Sequence, residues 1–229
     1  MLNTAEAARF LRVSQASIRR WADSGRLAAT RVGGRKERRF NEADLVAFLD
    51  RMPAMSTGHS ASIGTALVEV PAHLTAFYGT EGGGLRLTVP FFSEGVRRGQ
   101  PCVLVASEPV VSRYAAALGD EQFGKVMVFA FKGGTAAEAI AEWEGRFAAL
   151  VGGGASVIRV VGEMSCERDM FVSEDELLRY EEAFELMSKR YPVLVICQYD
   201  VRAFTGVALL RAMKAHPDMF VFRLGTFLN

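Results

Sequence analysis

Cysteine, histidine and tryptophan are scarce in this chain of 229 residues, and long apolar runs are missing altogether. The three cysteines, Cys102, Cys166 and Cys197, are odd in number and scattered. That argues against a disulfide framework or a zinc site and for a reducing cytoplasm. No run of eighteen apolar residues occurs, so no membrane span is expected. The amino terminus has no charged-then-apolar leader, so no secretory signal is expected, and a cytoplasmic location follows. Net charge is nearly missing too, at +1, but the total conceals a division. Residues 1–52 hold eleven Lys/Arg against six Asp/Glu, a net +5; the remainder holds sixteen against twenty, a net −4. A basic head precedes an acidic body.

What is present is ample apolar material, half of all residues, enough for one small and one ordinary domain. In the head, Ala7, Ala8 and Leu11 recur at helical spacing and give a first helix one apolar face. Ser14 stands where a second helix should begin, its hydroxyl placed to accept from an orphan amide of the first turn. Ile18 and Trp21 face inward; Gln15, Ser17, Arg19 and Arg20 face out, and Gly25 stops the helix. Two short helices with arginines on the free face of the second suit entry into the major groove of double-stranded DNA. A strand-like run from Leu27, a turn at Gly33-Gly34 and a basic return from Arg35 form a wing, with Arg31, Arg35, Lys36, Arg38 and Arg39 as contacts. Asn41 then caps a third helix with Leu45, Val46, Phe48 and Leu49 as its apolar face. Phosphate neutralisation by such a head makes binding salt-sensitive.

The order helix, turn, helix, "RRW", basic hairpin and "RRF.E.DL..FL" resembles the MerR-like, BldC/excisionase-type DNA-binding domain over residues 1 to about 52. The resemblance implies a second helix in the major groove and a wing near the backbone or the minor groove. Typical MerR proteins continue into a long dimerising helix; here the chain turns to Pro53.

Residues 53–69 are small and polar, with His59 among them, and read as a linker. Beyond, the pattern alternates strands (74–78, 102–107, 126–131, 156–162, 193–199, 219–223) with helices (85–98, 111–118, 135–151, 174–190, 205–215). Near-continuous apolar runs such as those from Val103 and Val157 suit strands covered on both faces. The expected fold class is α/β: a small winged helix-turn-helix domain plus a mostly parallel, doubly wound sheet domain over 70–229. Ligands of such sheets sit at the carboxyl ends of strands. Gly79-TEGGG-Leu85-Arg86 lacks the lysine and hydroxyl that a phosphate loop needs after its last glycine, so it reads as a turn into a helix and not as an ATP site. The candidate ligand-binding residues are His73, Tyr78, Glu163, Tyr199 and Asp200, at or near strand ends. Each has a plain structural alternative: a core histidine, a carboxylate anchored by Arg168, a cap paired with Arg202, an ordinary aromatic core edge. Glu108 falls where a catalytic carboxylate would stand, and reads as a vestige. Cys166 and Cys197 read as buried, inert thiols.

The pieces "H…FY", "VPFF.EG..RG.PCV.V", "GEMS", "YE", "CQYD" and "HP" between about 70 and 223 resemble the MEDS domain, the sensory domain of DcmR-type regulators of methanogens and methylotrophs. Cys166 departs from it, since an aromatic often follows "GEMS". The resemblance implies a KaiC/RecA-like core that has lost its nucleotide loop and senses a small molecule, of the hydrocarbon-derivative class, or a protein partner. Together the two parts lead to a DNA-binding transcriptional regulator, no enzyme, with no cofactor and no metal, acting as a homo-oligomer on double-stranded DNA and open to a signalling partner. The alternative is a nucleotide-binding or hydrolytic α/β enzyme with a DNA-targeting head.

Overall fold

The computed structural model describes residues 1–11, 15–23, 25, 27–33, 37–51, 60–63, 66–130 and 134–216. Among the sites expected above, Ser14, Arg35, Lys36, His59 and the strand at 219–223 lie outside these, as do the side chains of Ser17 and Leu49. The chain divides into two compact units, Met1–Ala54 and Met55–Asn229.

The first unit has three helices and a hairpin: α1 (Thr4–Leu11), α2 (Gln15–Asp23), β1 (Thr30–Val32), β2 (Glu37–Arg39) and α3 (Glu42–Arg51). Asn3 caps α1 reciprocally: its side chain accepts from the Glu6 amide and its own amide donates back to Glu6, at 2.9 and 2.8 Å. The apolar positions of the two short helices meet as their spacing requires, with Ala7, Ile18, Trp21, Leu27, Phe40 and Leu45 all buried. Trp21 lies against Phe48, ring centroids 5.2 Å apart. Gly25, at φ +72°, takes the left-handed turn after α2. Val46, expected on the apolar face of α3, is exposed instead, because Leu45 and Phe48 already fill that side.

The second unit opens with an antiparallel hairpin, β3 (Ser60–Ile63) and β4 (Ala66–Glu69), inside the stretch expected to be linker. Ala61, Ile63 and Val68 bury one side of it, which explains why so small and polar a segment is held. Arg159 fixes it from below. This fully buried guanidinium donates to the Ser62 carbonyl (3.0 Å), the Phe91 carbonyl (3.1 Å) and Gln100 Oε1 (2.7 Å). A buried charge is tolerable only with such partners.

The main sheet is parallel throughout. Its strands, β5 (Ala72–Tyr78), β6 (Cys102–Val105), β7 (Val126–Phe129), β8 (Ile158–Glu163) and β9 (Val193–Asp200), lie in the order β5-β9-β8-β6-β7. Their connections are helical: α4 (Glu81–Arg97), α5 (Val110–Leu118), α6 (Asp120–Phe123), α7 (Ala136–Gly152), α8 (Met164–Arg168) and α9 (Glu174–Ser188), with α10 (Gly206–Ala215) after β9. β5, β6 and β8 are buried at every residue, as a sheet covered on both faces demands. Trp143, Phe147 and Phe184 knit α7 and α9 together, with centroids 4.6 to 6.2 Å apart. Among the described residues no helix is long and apolar enough to cross a membrane.

α4 begins four residues before the helix expected at 85–98. Gly82, Gly83 and Gly84 form its first turn, capped by Thr80, whose hydroxyl accepts from the Gly83 amide at 3.1 Å. A Cβ on Gly84 would sit 3.3 Å from the Tyr78 ring, so this glycine serves close packing.

Candidate functional site

In the head, Gln15 and Arg19 stand exposed on α2, with Arg19 donating to Gln15 at 3.3 Å, and Arg20 is half-buried beside them. The wing residues Arg31 and Arg38 both reach Asp23 at the end of α2, at 3.1 and 2.6 Å. Arg38 beside it lowers the Asp23 carboxyl below its usual range. Arg39 pairs with Glu37 at 3.0 Å. One carboxylate thus ties hairpin to helix and places two guanidiniums at its end.

In the second unit the five expected ligand residues fall into three places. Successive strand residues face opposite sides of a sheet. On the α4 side, the last residue of β5 and the last of β8 meet: the Tyr78 hydroxyl donates to Glu163 Oε1 at 2.8 Å, and Ser165 Oγ donates to the same oxygen at 2.9 Å. Gln198, opposite Glu163 in the β8–β9 register, accepts from the Tyr114 hydroxyl at 2.7 Å and donates to the Gly84 carbonyl. Thr88 completes the chain through Tyr114, also at 2.7 Å. Tyr78, Gly84, Tyr114, Glu163 and Gln198 line an open cleft with about 10 Å³ of room, on the order of one water molecule, with Leu85 and Val110 as apolar wall. Arg113, also lining it, binds Glu81 at 2.9 Å. Burial raises the Glu163 carboxyl to about 7, against the lowering effect of its two hydroxyl donors. Burial next to Glu163 likewise raises the Tyr78 phenol. At neutral pH this carboxyl is divided between its charged and neutral forms, and the neutral form can donate a hydrogen bond into the cleft.

His73 and Tyr199 lie on the other side of the sheet, under α9 and α10. His73 is fully buried; its Nδ1 meets Glu185 Oε2 at 3.0 Å and its Nε2 meets Cys197 Sγ at 3.1 Å. His216 lies 4.1 Å away, ring to ring, and Glu181 stands beside both. The four groups His73, Glu181, Cys197 and His216 place one donor atom each within 4.8 Å of one another. Burial, with Glu181 and Glu167 nearby, pushes the Cys197 thiol and the Tyr199 phenol well up. Asp200 belongs to neither place: it pairs with Arg202 at 2.8 and 2.6 Å, which lowers its carboxyl. Arg168 donates not to Glu163 but to the Ala203 carbonyl, at 2.6 Å. Glu108 accepts from Ser112 at 2.7 Å and takes no part in either cluster. The sequence reading missed Gln198, Tyr114, Glu181 and His216 as site residues; three of them stand in motif pieces it had quoted, "CQYD", "YE" and "HP".

A helix-turn-helix unit followed in sequence by a parallel α/β unit defines a two-domain protein with a nucleic-acid-binding module. The comparisons agree with this. Residues 72–217 match the MEDS model, described as the methanogen/methylotroph, DcmR sensory domain, and residues 1–53 match a helix-turn-helix domain model. The chain is 32% identical over 246 residues to the transcriptional repressor DcmR of Methylorubrum extorquens (strain DSM 6343 / CIP 106787 / DM4), covering 98% of this chain and 92% of the relative. The chain belongs to the MEDS family.

Proposed function

We propose that the protein is a transcriptional regulator of the repressor type, whose head binds operator DNA and whose α/β domain changes that binding when a small molecule enters the strand-end cleft. The observation that carries this reading is the likeness to a transcriptional repressor along nearly the whole chain, head and body together. The exposed face of α2 supplies Gln15 and Arg19, with Arg20 beside them, as base-edge or phosphate contacts; Arg31, Arg38 and Arg39 supply backbone contacts from the wing. Ser14, Ser17, Arg35 and Lys36 belong to the same proposed surface.

As it stands the cleft has room for about one water, so a ligand of few heavy atoms enters by displacing its walls. Leu85, Val110 and the rings of Tyr78 and Tyr114 offer apolar walls, while Glu163 and Gln198 offer one end where a polar group can be met. A small apolar molecule with a single polar substituent, such as a hydrocarbon derivative, fits that division. Leu85 and Arg86 stand where a phosphate lysine and a metal-binding hydroxyl would be, and the glycines before them run into α4, which supports a KaiC/RecA-type core turned from nucleotide hydrolysis to sensing. A head of this size covers little DNA, so specific binding calls for two or more copies on one operator.

The test is a gel-shift titration of DNA from upstream of the protein's own gene with the full chain and with Arg19→Ala/Arg20→Ala. The double variant is expected to weaken specific binding at least about 10-fold, in line with losing base or phosphate contacts. Binding of equal strength by a folded variant counts against the reading.

A further inference from the structure

We propose that His73, Glu181, Cys197 and His216 form a binding site for one divalent first-row transition ion of borderline softness, with Zn²⁺ as the leading occupant. These residues come from β5, α9, β9 and the end of α10, and only the pairing of β5 with β9 and the packing of two helices on the same face bring them together. His73 Nε2 lies 3.1 Å from Cys197 Sγ and 3.7 Å from Glu181 Oε2, and His216 Nε2 lies 3.1 Å from Glu181 Oε2. Four donors around a tetrahedral ion at bond lengths of about 2.0–2.3 Å stand about 3.3–3.8 Å apart. The observed spacing meets this with shifts of a few tenths of an ångström at these contacts and about 1 Å at the widest.

The orientation of the two imidazoles is the second observation. His73 Nδ1 lies 3.0 Å from the Glu185 carboxylate, and His216 Nδ1 lies 2.7 Å from the Ala212 carbonyl. Each of these acceptors can take the ring proton of Nδ1, the neutral tautomer that turns the Nε2 lone pair toward the cluster. Carboxylate and carbonyl partners of this kind are what metal-bound histidines use to fix their tautomer. The third observation concerns the acceptor side. Glu181 is 1% exposed, yet among the described residues neither of its oxygens, nor His216 Nε2, has a hydrogen bond of proper geometry. Groups this close that do not point at one another are what donors aimed at a shared point produce.

Softness and charge select the ion. A thiolate and two imidazoles favour zinc, cobalt or iron over magnesium or calcium. Thiolate and carboxylate together cancel a dication, so the loaded site is neutral among Phe184 and Tyr199. This departs from the sequence expectation of no metal. A reading by ligand spacing finds short repeats, whereas these ligands span residues 73 to 216.

The experiment uses the full chain expressed in zinc- and in cobalt-supplemented medium, desalted, with metal measured by mass spectrometry and the cobalt form by absorption. One equivalent per chain is expected, with a thiolate-to-cobalt charge-transfer band and intense tetrahedral visible bands. The band is expected to persist in Cys102→Ser/Cys166→Ser, which assigns it to Cys197 whether or not Cys197→Ser folds. His216→Gln is expected to lower metal content and melting temperature together. A folded wild-type chain with less than about a tenth of an equivalent from both growths, or a charge-transfer band lost with Cys102 and Cys166, overturns the proposal.

Discussion

Glu163 makes the stability of the α/β unit depend on pH in a direction opposite to that of most carboxylates. Its ordinary value is 4.5 and its folded value is about 7, because burial at the end of β8 disfavours the charge more than Tyr78 and Ser165 favour it. The folded protein therefore binds this proton roughly 300-fold more tightly than the unfolded chain, equivalent to about 3 kcal/mol. The folded value lies above the unfolded one, so the contribution is complete below about pH 4.5, declines as pH rises from there to about 7, and is gone above it. Glu163→Gln keeps an oxygen for the Tyr78 and Ser165 hydroxyls and removes the titration. The unfolding free energy of the wild type, minus that of the variant, is expected to fall by about 3 kcal/mol between pH 4.5 and 8. Urea unfolding at four pH values reads this directly, as a relative midpoint shift of about 1–2 M. Trp143, buried on α7 and donating to Tyr180 at 2.8 Å, reports on this unit once Trp21 is replaced by Phe. Parallel pH profiles for the two proteins would refute the reasoning.

Two further outcomes follow from close contacts elsewhere. A Cβ on Gly95 would lie 2.6 Å from both Arg159 Cδ and Cys102 Sγ, and Arg159 is held by three acceptors; Gly95→Ala is expected to cost about 1–3 kcal/mol, read as a lower melting temperature of the α/β unit. Asp23→Asn releases Arg31 and Arg38 from their shared exposed carboxylate; melting of the head should barely move, while the dependence of log K on log salt for random-sequence DNA should steepen by about one. An unchanged slope would show that these arginines do not reach phosphate.

The parallel sheet was legible because its strands are apolar on both sides, as at Val103–Val105 and Ile158–Val161, and such runs leave few other structures open. The head was legible because Ala7, Leu11, Ile18 and Trp21 keep helical spacing within short, well-bounded segments. The β3–β4 hairpin was not, since what holds Ser60–Ile63 is a guanidinium about a hundred residues away, and nothing in the local composition announces it. Gly84 misled for a related reason: glycine reads as freedom to turn, but here it admits the Tyr78 ring against a helix. At the sites, Tyr199 and Asp200 are consecutive on one strand and so face opposite sides, which the sequence already dictated. That His73 would stand beside Cys197 depended on which strands become neighbours, and local pattern does not encode that.

α4 carries a consequence of its own. At 17 residues it is about 25 Å long, with Pro90 inside it. Its first turn borders the Tyr78–Glu163 cleft, while near its far end Phe91 and Glu94 hold β3 through Arg159 and Ser62. The rim of the cleft and the anchor of the β3–β4 hairpin thus sit on one helix, with Pro90, which cannot donate to the helix ladder, between them.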